Sequence, residues 1–355
     1  MEKNVILSAR DIVVNFRVRS RTLTAIRNVS LDLIEGETLA IVGESGSGKT
    51  VLTKTFTAML EENGKVSQGK IFFEGRDLLE IKSNREWESI RGAKIATVFQ
   101  DPMTSLNPIR TIGSQITEVI IKHQKKSKAE AKAMAIDLMD KVGIPHAADR
   151  FDEYPFQYSG GMRQRIVIAI ALACHPKILI CDEPTTALDV TIQAQIIQLI
   201  KQLQKDFGFT TVYITHDLGV VAAVADKVAV MYAGQIVEYG TVDEIYFNAK
   251  HPYTWALLSS LPQLGIKGQM LFSIPGTPPS LYNKIKGDAF APRNPYAMKI
   301  DFEEEPPFFQ VSETHFAKTW LLDPRAPKTE MPEFIQNLHE KIEKKVAFEG
   351  KLYGK

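Results

Sequence analysis

The sequence predicts an α/β fold with a largely parallel central sheet, and three observations carry that prediction. Short β-branched runs at Thr38 to Val42, Ile178 to Cys181, Thr211 to Thr215 and Val228 to Tyr232 alternate with stretches of helical periodicity. Such runs lack the alternation of a one-sided strand because helices cover both faces of a parallel sheet. Between about residues 110 and 158 strands vanish: Ile116, Val119 and Ile120, then Ala131, Ala135, Leu138 and Val142, recur at helical spacing. A helical subdomain over about residues 105–165 is therefore inserted in the core. Finally, only six of the 18 prolines precede residue 250 and twelve lie from Pro252 to Pro332. That break divides a main domain, residues 1–250, from a Pro-rich, irregular C-terminal extension, residues 251–355.

The opening elements differ from the core. Val5 to Val18 and Thr22 to Leu33 alternate like half-buried strands and Gly69 to Gly75 adds another, so an antiparallel β subdomain flanks the parallel sheet. At 355 residues the chain exceeds one comfortable core, which fits this division. Forty-three Lys and Arg against 42 Asp and Glu leave a net charge of +1, which argues against nucleic acid as a partner. Met1 to Phe16 contains Glu2, Lys3, Arg10 and Asp11 and no apolar secretory segment. The longest apolar run, Ile166 to Cys174, is about half a membrane span, so any membrane contact is expected to be peripheral and the chain to stay in the cytoplasm. Cys174 and Cys181 lie in apolar stretches and read as buried, reduced thiols.

Chemistry enters at Gly43-Glu44-Ser45-Gly46-Ser47-Gly48-Lys49-Thr50, which follows the strand Leu39 to Val42 and precedes a helix. Glycines at this spacing let backbone N–H groups turn inward around a polyphosphate, Lys49 adds a cation for the β and γ phosphates, and Thr50 offers a hydroxyl to Mg²⁺. The strand Ile178 to Cys181 ends in Asp182 and Glu183. Asp182 supplies a second hard oxygen near Thr50, leaving Glu183 free to orient a water and accept its proton. The strand Thr211 to Thr215 delivers His216 to the same edge of the sheet, within reach of a γ-phosphate. Gln100, after Ile95 to Phe99, is a further polar residue at a strand end, able to reach Mg²⁺ or the attacking water.

A second phosphate-binding surface is expected at Tyr158-Ser159-Gly160-Gly161-Met162-Arg163-Gln164-Arg165, where a Ser and two glycines open a helix. With this segment the chain resembles an ABC-transporter nucleotide-binding subunit, with Tyr158 and Met162 as mild variants of the signature motif. The other elements follow in order: the P-loop at Gly43 to Thr50, the Q-loop at Gln100, Asp182 and Glu183, the D-loop Thr186-Ala187-Leu188-Asp189 and the switch His216. The resemblance covers about residues 5–245. It implies a P-loop ATPase that binds ATP and Mg²⁺ and works as a head-to-tail dimer. In that dimer Ser159, Gly160 and Gly161 of one subunit, with Asp189 nearby, close over ATP held by the other. It also implies adenine stacking on Phe16 and docking of membrane subunits at Gln100 to Pro108 and the helical subdomain.

A narrower likeness runs through Gln100 to Pro108, Tyr158 to Arg165, His251-Pro252-Tyr253-Thr254, Ile274-Pro275-Gly276 and Phe290-Ala291-Pro292-Arg293. These segments are similar to the ATP-binding subunits of oligopeptide and dipeptide importers. The likeness implies two membrane permeases, a second, non-identical ATPase and, as an indirect partner, an external peptide-binding protein, so that the substrate never touches this chain, and it places the chain peripherally on the cytoplasmic face of the cell membrane. An importer of nickel or another small solute is the neighbouring alternative; a soluble ABC ATPase of DNA repair or translation is the alternative from another class. The first has no contrary signal here; the second would call for coiled coils or a second P-loop, neither of which occurs. Many relatives hold an iron–sulfur cluster through cysteines in the extension. Here Asp288, Asn294 and Asp301 stand at the corresponding places and hard oxygen ligands suit such a cluster poorly, so none is expected. Aromatics such as Phe290, Tyr296, Phe308 and Phe309 are expected to staple the extension instead.

Overall fold

The computed structural model describes residues 4–186, 188–260, 274–332 and 335, so Ala187 of the D-loop segment lies outside the described residues. The opening layer is an antiparallel sheet in the order β2-β1-β4-β5, built from β1 (Val5–Val18), β2 (Arg21–Ile34), β4 (Gly64–Phe73) and β5 (Arg76–Asp77). β4 begins before the glycine at which the sequence pattern starts it. Gly69 is a bulge inside the strand: its φ is 101°, and a Cβ there would stand 2.5 Å from the Arg10 carbonyl oxygen, where the β1–β4 register shifts.

The larger sheet contains β3 (Thr38–Val42), β6 (Ile95–Val98), β7 (Ile178–Asp182), β8 (Thr210–Thr215), β9 (Lys227–Tyr232), β10 (Gln235–Thr241), β11 (Phe309–Gln310) and β12 (Phe316–Ala317). Its order is β11-β12-β10-β9-β3-β8-β7-β6. The five central and distal strands β9, β3, β8, β7 and β6 are parallel, as their continuous burial requires. The helical subdomain follows from its caps. Thr111 accepts from the Ser114 amide to start Ile112–Gln124, and Ser127 forms a reciprocal capping box with Glu130 to start Lys128–Lys141. Ile112, Ile116, Ile120, Ala131, Ala135 and Leu138 face the helix Gly160–Leu172 in one core. No helix among the described residues is long and apolar enough to cross a membrane.

The extension departs from the irregular segment the sequence suggests. β12 pairs antiparallel with β10, aligning Tyr239 with Phe316 and Glu238 with Ala317, and β11 pairs with β12, so the extension covers what would be the sheet's open edge. The junction is polar and sealed: His315 Nε2 lies 2.8 Å from Glu238 Oε1 with both side chains fully buried, and Glu238 also accepts from the amides of Lys250 and His251. Phe290 packs edge-on against Tyr232 at 5.2 Å and Tyr253 at 5.3 Å, Tyr296 meets Trp255, and Phe309 meets Trp320. Phe308 does not join the staple: it is 48% exposed because it lies outside this packing. Asp288, Asn294 and Asp301 are buried and cap local turns, accepting from the amides of Phe290, Tyr296 and Met298. Burial pushes the Asp288 carboxyl up to about 6. Cys181 is buried, Cys174 only partly so, and both are free thiols.

One apolar cluster contains Ala40, Val42 and Tyr232 of the main sheet together with Tyr253, Trp255 and Phe290. Replacing Phe290, 1% exposed, by Ala is expected to cost about 3–5 kcal/mol, because the Tyr232, Tyr253 and His251 rings lose a common partner. Urea unfolding of the full chain measures it; a loss below about 1 kcal/mol would contradict this packing.

Candidate active site

The parallel register determines which side chains meet. Val42 of β3 aligns with Thr215 of β8, Asp182 of β7 with Ile214, and Val98 of β6 with Cys181, so the segments after all four strands emerge at one edge. The loop after β3 is held tightly. Gly43 has φ 152° and a Cβ there would stand 2.1 Å from the Met231 carbonyl oxygen; Gly48 has φ 102° and would meet Ile26 at 2.8 Å. Lys49 is 6% exposed and its Nζ donates to the carbonyls of Gly43 at 2.8 Å and Glu44 at 3.0 Å. Burial lowers its pKa, while the negative charges of Glu183, Asp182 and Glu44 oppose the shift.

Thr50 Oγ1 donates to Asp182 Oδ1 at 2.9 Å, and burial raises the Asp182 carboxyl, with the Thr50 hydrogen bond opposing and the Glu183 charge adding to the shift. Glu183 is the hub. Its carboxylate accepts from Gln100 Nε2 and Thr186 Oγ1, each at 3.1 Å, and lies 3.2 Å from His216 Nδ1. Its backbone sits at φ 46°, a conformation that costs a non-glycine residue about 1–3 kcal/mol and persists where surrounding contacts over-determine it. Here its own amide donates to the Ile214 carbonyl at 3.0 Å.

A cleft of about 470 Å³ opens along this edge, lined by Phe16, Ser45, Gly46, Gly48, Lys49, Thr50, Gln100, Asp182 and Glu183, and by Leu281 from the extension. The residues fit a magnesium-bound polyphosphate. Ser47 Oγ is buried in the loop with no hydrogen-bond partner, Gly43 and Gly48 leave no room for a Cβ, and Thr50 and Asp182 bring two hard oxygens together at its end.

Two family models match the chain: ABC transporter over residues 26–186, and the oligopeptide/dipeptide transporter C-terminal region over residues 237–300. The oligopeptide transport ATP-binding protein AmiE of Streptococcus pneumoniae is 71% identical, over 98% of this chain and 98% of its own length. The chain belongs to the oligopeptide and dipeptide transport ATP-binding proteins of the ABC transporter family. The oligopeptide transport ATP-binding protein OppD of Bacillus subtilis is 56% identical over 95% of this chain and 94% of its own. An ATP-binding cassette solved as a dimer in a post-hydrolysis state, bound to ADP and Pi, matches with a TM-score of 0.59 at 27% identity, covering 66% of this chain and 98% of that one.

In this transport ATPase the cleft does not collect every residue singled out in the sequence. Gly43, Glu44, Ser47 and His216 lie beside it without lining it, and Ser159, Gly160, Gly161 and Asp189 are likewise absent from its lining. Ser159 caps the helix Gly160–Leu172 by accepting from the Met162 amide, and Asp189 caps Val190–Phe207 by accepting from the Ile192 amide. A Cβ on Gly161 would stand 2.7 Å from Ile192, so the glycine allows these two helix starts to approach. Three residues that reach the loop carry no local sequence signal. Tyr253 accepts from the Glu44 amide, Arg293 pairs with the Glu44 carboxylate, and Leu281 lines the cleft, each from more than 200 positions away.

Gly43 and Gly46 both have positive φ, but a Cβ on Gly46 meets nothing within 4 Å. Gly43→Ala is therefore expected to lower the thermal unfolding midpoint well below that of Gly46→Ala, which carries backbone strain of about 1 kcal/mol alone. Equal midpoints in a side-by-side melt would refute the close approach of Gly43 to Met231.

Proposed function

We propose that this chain is the ATP-binding and ATP-hydrolysing subunit that powers import of oligopeptides through a membrane ABC transporter. The observation that carries the reading is Glu183 at the strand tip beside Asp182, with Gln100 and His216 converging on its carboxylate and the Lys49 loop across the cleft. Lys49 and the loop amides bind the phosphates of ATP. Phe16, 8% exposed and lining the cleft, would stack on the adenine. Thr50, Asp182 and Gln100 would hold Mg²⁺, which neutralises charge on the phosphates. Glu183 accepts the proton of a water whose oxygen attacks the γ-phosphorus as the bond to the β–γ bridging oxygen breaks, giving ADP and phosphate. Gln100 orients that water, and His216 reaches the γ-phosphate while fixing Glu183. Ser159, Gly160, Gly161 and Asp189, which do not line this cleft, would serve the ATP site of a second ATPase chain.

Coupling requires partners. Met103 at 62% exposure, Ile109 at 82% and Phe156 at 71% are apolar side chains left open on the Q-loop segment and the helical subdomain. They fit docking by the two membrane permeases, holding the chain at the cytoplasmic face of the membrane. A second, non-identical ATPase would complete the dimer, and an external peptide-binding protein would deliver the substrate.

In the assembled transporter, Glu183→Gln is expected to retain ATP while turnover falls about 10² to 10⁴-fold, whereas Lys49→Ala loses ATP affinity. Hydrolysis by Glu183→Gln at the unmutated rate would remove Glu183 from the role of base. The isolated chain should be a monomer with weak ATPase activity and should co-purify with the permeases from detergent-solubilised membranes. A stable dimer of the single chain with the full rate of the transporter would contradict the non-identical partner.

A further inference from the structure

Arg293 lies in the extension, 249 positions from the phosphate loop, yet its guanidinium grips that loop. Nη1 donates to Glu44 Oε2 at 2.8 Å and Nη2 to Glu44 Oε1 at 2.9 Å, a two-pronged pair with the Arg293 side chain 5% exposed. The remaining donors are also used: Nε donates to the Pro275 carbonyl at 2.8 Å and Nη1 to Tyr232 Oη at 3.2 Å. The backbone of the same loop residue is held independently, because the Glu44 amide donates to Tyr253 Oη at 2.8 Å. The hydrogen bond from Arg293 to Glu44, above all, raises the arginine's own pKa. Both ends of Glu44 are thus tied to residues beyond position 250.

We propose that Arg293 is a positioning residue for ATP binding, holding Glu44 so that the phosphate loop is preformed and its carboxylate neutralised before the nucleotide arrives. This rests on the nucleotide reading above. Two physical effects act together. A loop with positive φ at Gly43, Gly46 and Gly48 loses much conformational freedom when it closes on a ligand, and fixing Glu44 in advance lowers that cost. Glu44 also places a negative charge beside a site built for polyphosphate, and a guanidinium in a two-pronged pair cancels it. Arg293 spends its donors on Glu44, Tyr232 and Pro275 and does not line the cleft, so its effect falls on binding and not on the chemical step.

The test uses the full chain for magnesium ATP binding by calorimetry and the assembled transporter for steady-state hydrolysis. Arg293→Ala should raise Kd and KM about tenfold with kcat within about twofold, because ground state and transition state lose the same binding. Arg293→Lys, which keeps the charge without the fork, should fall between. Adding Glu44→Gln to Arg293→Ala should recover part of the affinity by removing the stranded anion. Trp320→Ala, which removes a ring contact to Phe309 and a hydrogen bond to the Glu304 carbonyl within the extension and touches no residue that holds Glu44, should leave KM unmoved. Unchanged Kd and KM in Arg293→Ala, a fall in kcat at constant KM, a loss in Trp320→Ala as large as in Arg293→Ala, or no recovery in the double variant would each overturn the proposal. Should the unmutated chain fail to bind ATP, and Lys49→Ala change nothing, the nucleotide reading itself falls and this inference with it.

Discussion

The 2.9 Å hydrogen bond from Thr50 to Asp182 joins residues 132 positions apart, and it exists only because β3 and β7 run parallel on either side of β8. Reversing either strand would send its functional side chains to the opposite edge of the sheet. With the register fixed, the phosphate loop, the two acids after β7, Gln100 and His216 share one edge, and Glu183 can be gripped from three directions. Its φ of 46° is the local cost of that convergence, offset by the bonds to its amide and carboxylate.

A second constraint is the covering of the sheet's other side. Tyr232 ends β9 directly behind the phosphate loop and is met by Tyr253 at 4.6 Å and Phe290 at 5.2 Å, both from beyond residue 250. The extension therefore supports the loop from behind while β12 closes the sheet edge. Stability and site geometry depend on the same aromatic contacts, and a change in the extension is transmitted to Glu44 through Arg293 and Tyr253.

Much of this was legible in the sequence because its signals are local. The loop at Gly43 to Thr50, the strand before Asp182 and Glu183 and the glycine-bearing helix start at Ser159 are each read within a few residues, and the parallel sheet follows from their apolar runs. What escaped is long-range or carries weak turn chemistry. β10 follows a two-residue turn, Ala233-Gly234, with φ of 46° and 80°; alanine at positive φ gives no turn signal, so the hairpin has none of the usual Asn-Gly marking. β11 and β12 are two residues each and exist only because β10 offers an edge. Arg293 reads as one more basic residue in a Pro-rich stretch until folding brings it to Glu44. Ser159 and Asp189 illustrate the opposite case: their cap geometry is visible here, while the part assigned to them requires another chain.

We propose that the phosphate loop and the signature surface of this chain serve different ATP sites. It is tested most directly by cysteines introduced at Ser159 of this chain and in the phosphate loop of the second ATPase, within the purified transporter carrying Glu183→Gln. The account predicts a disulfide cross-link that forms when ATP is added and is weak without nucleotide. No cross-link with ATP, or one that forms equally without it, would contradict the shared site.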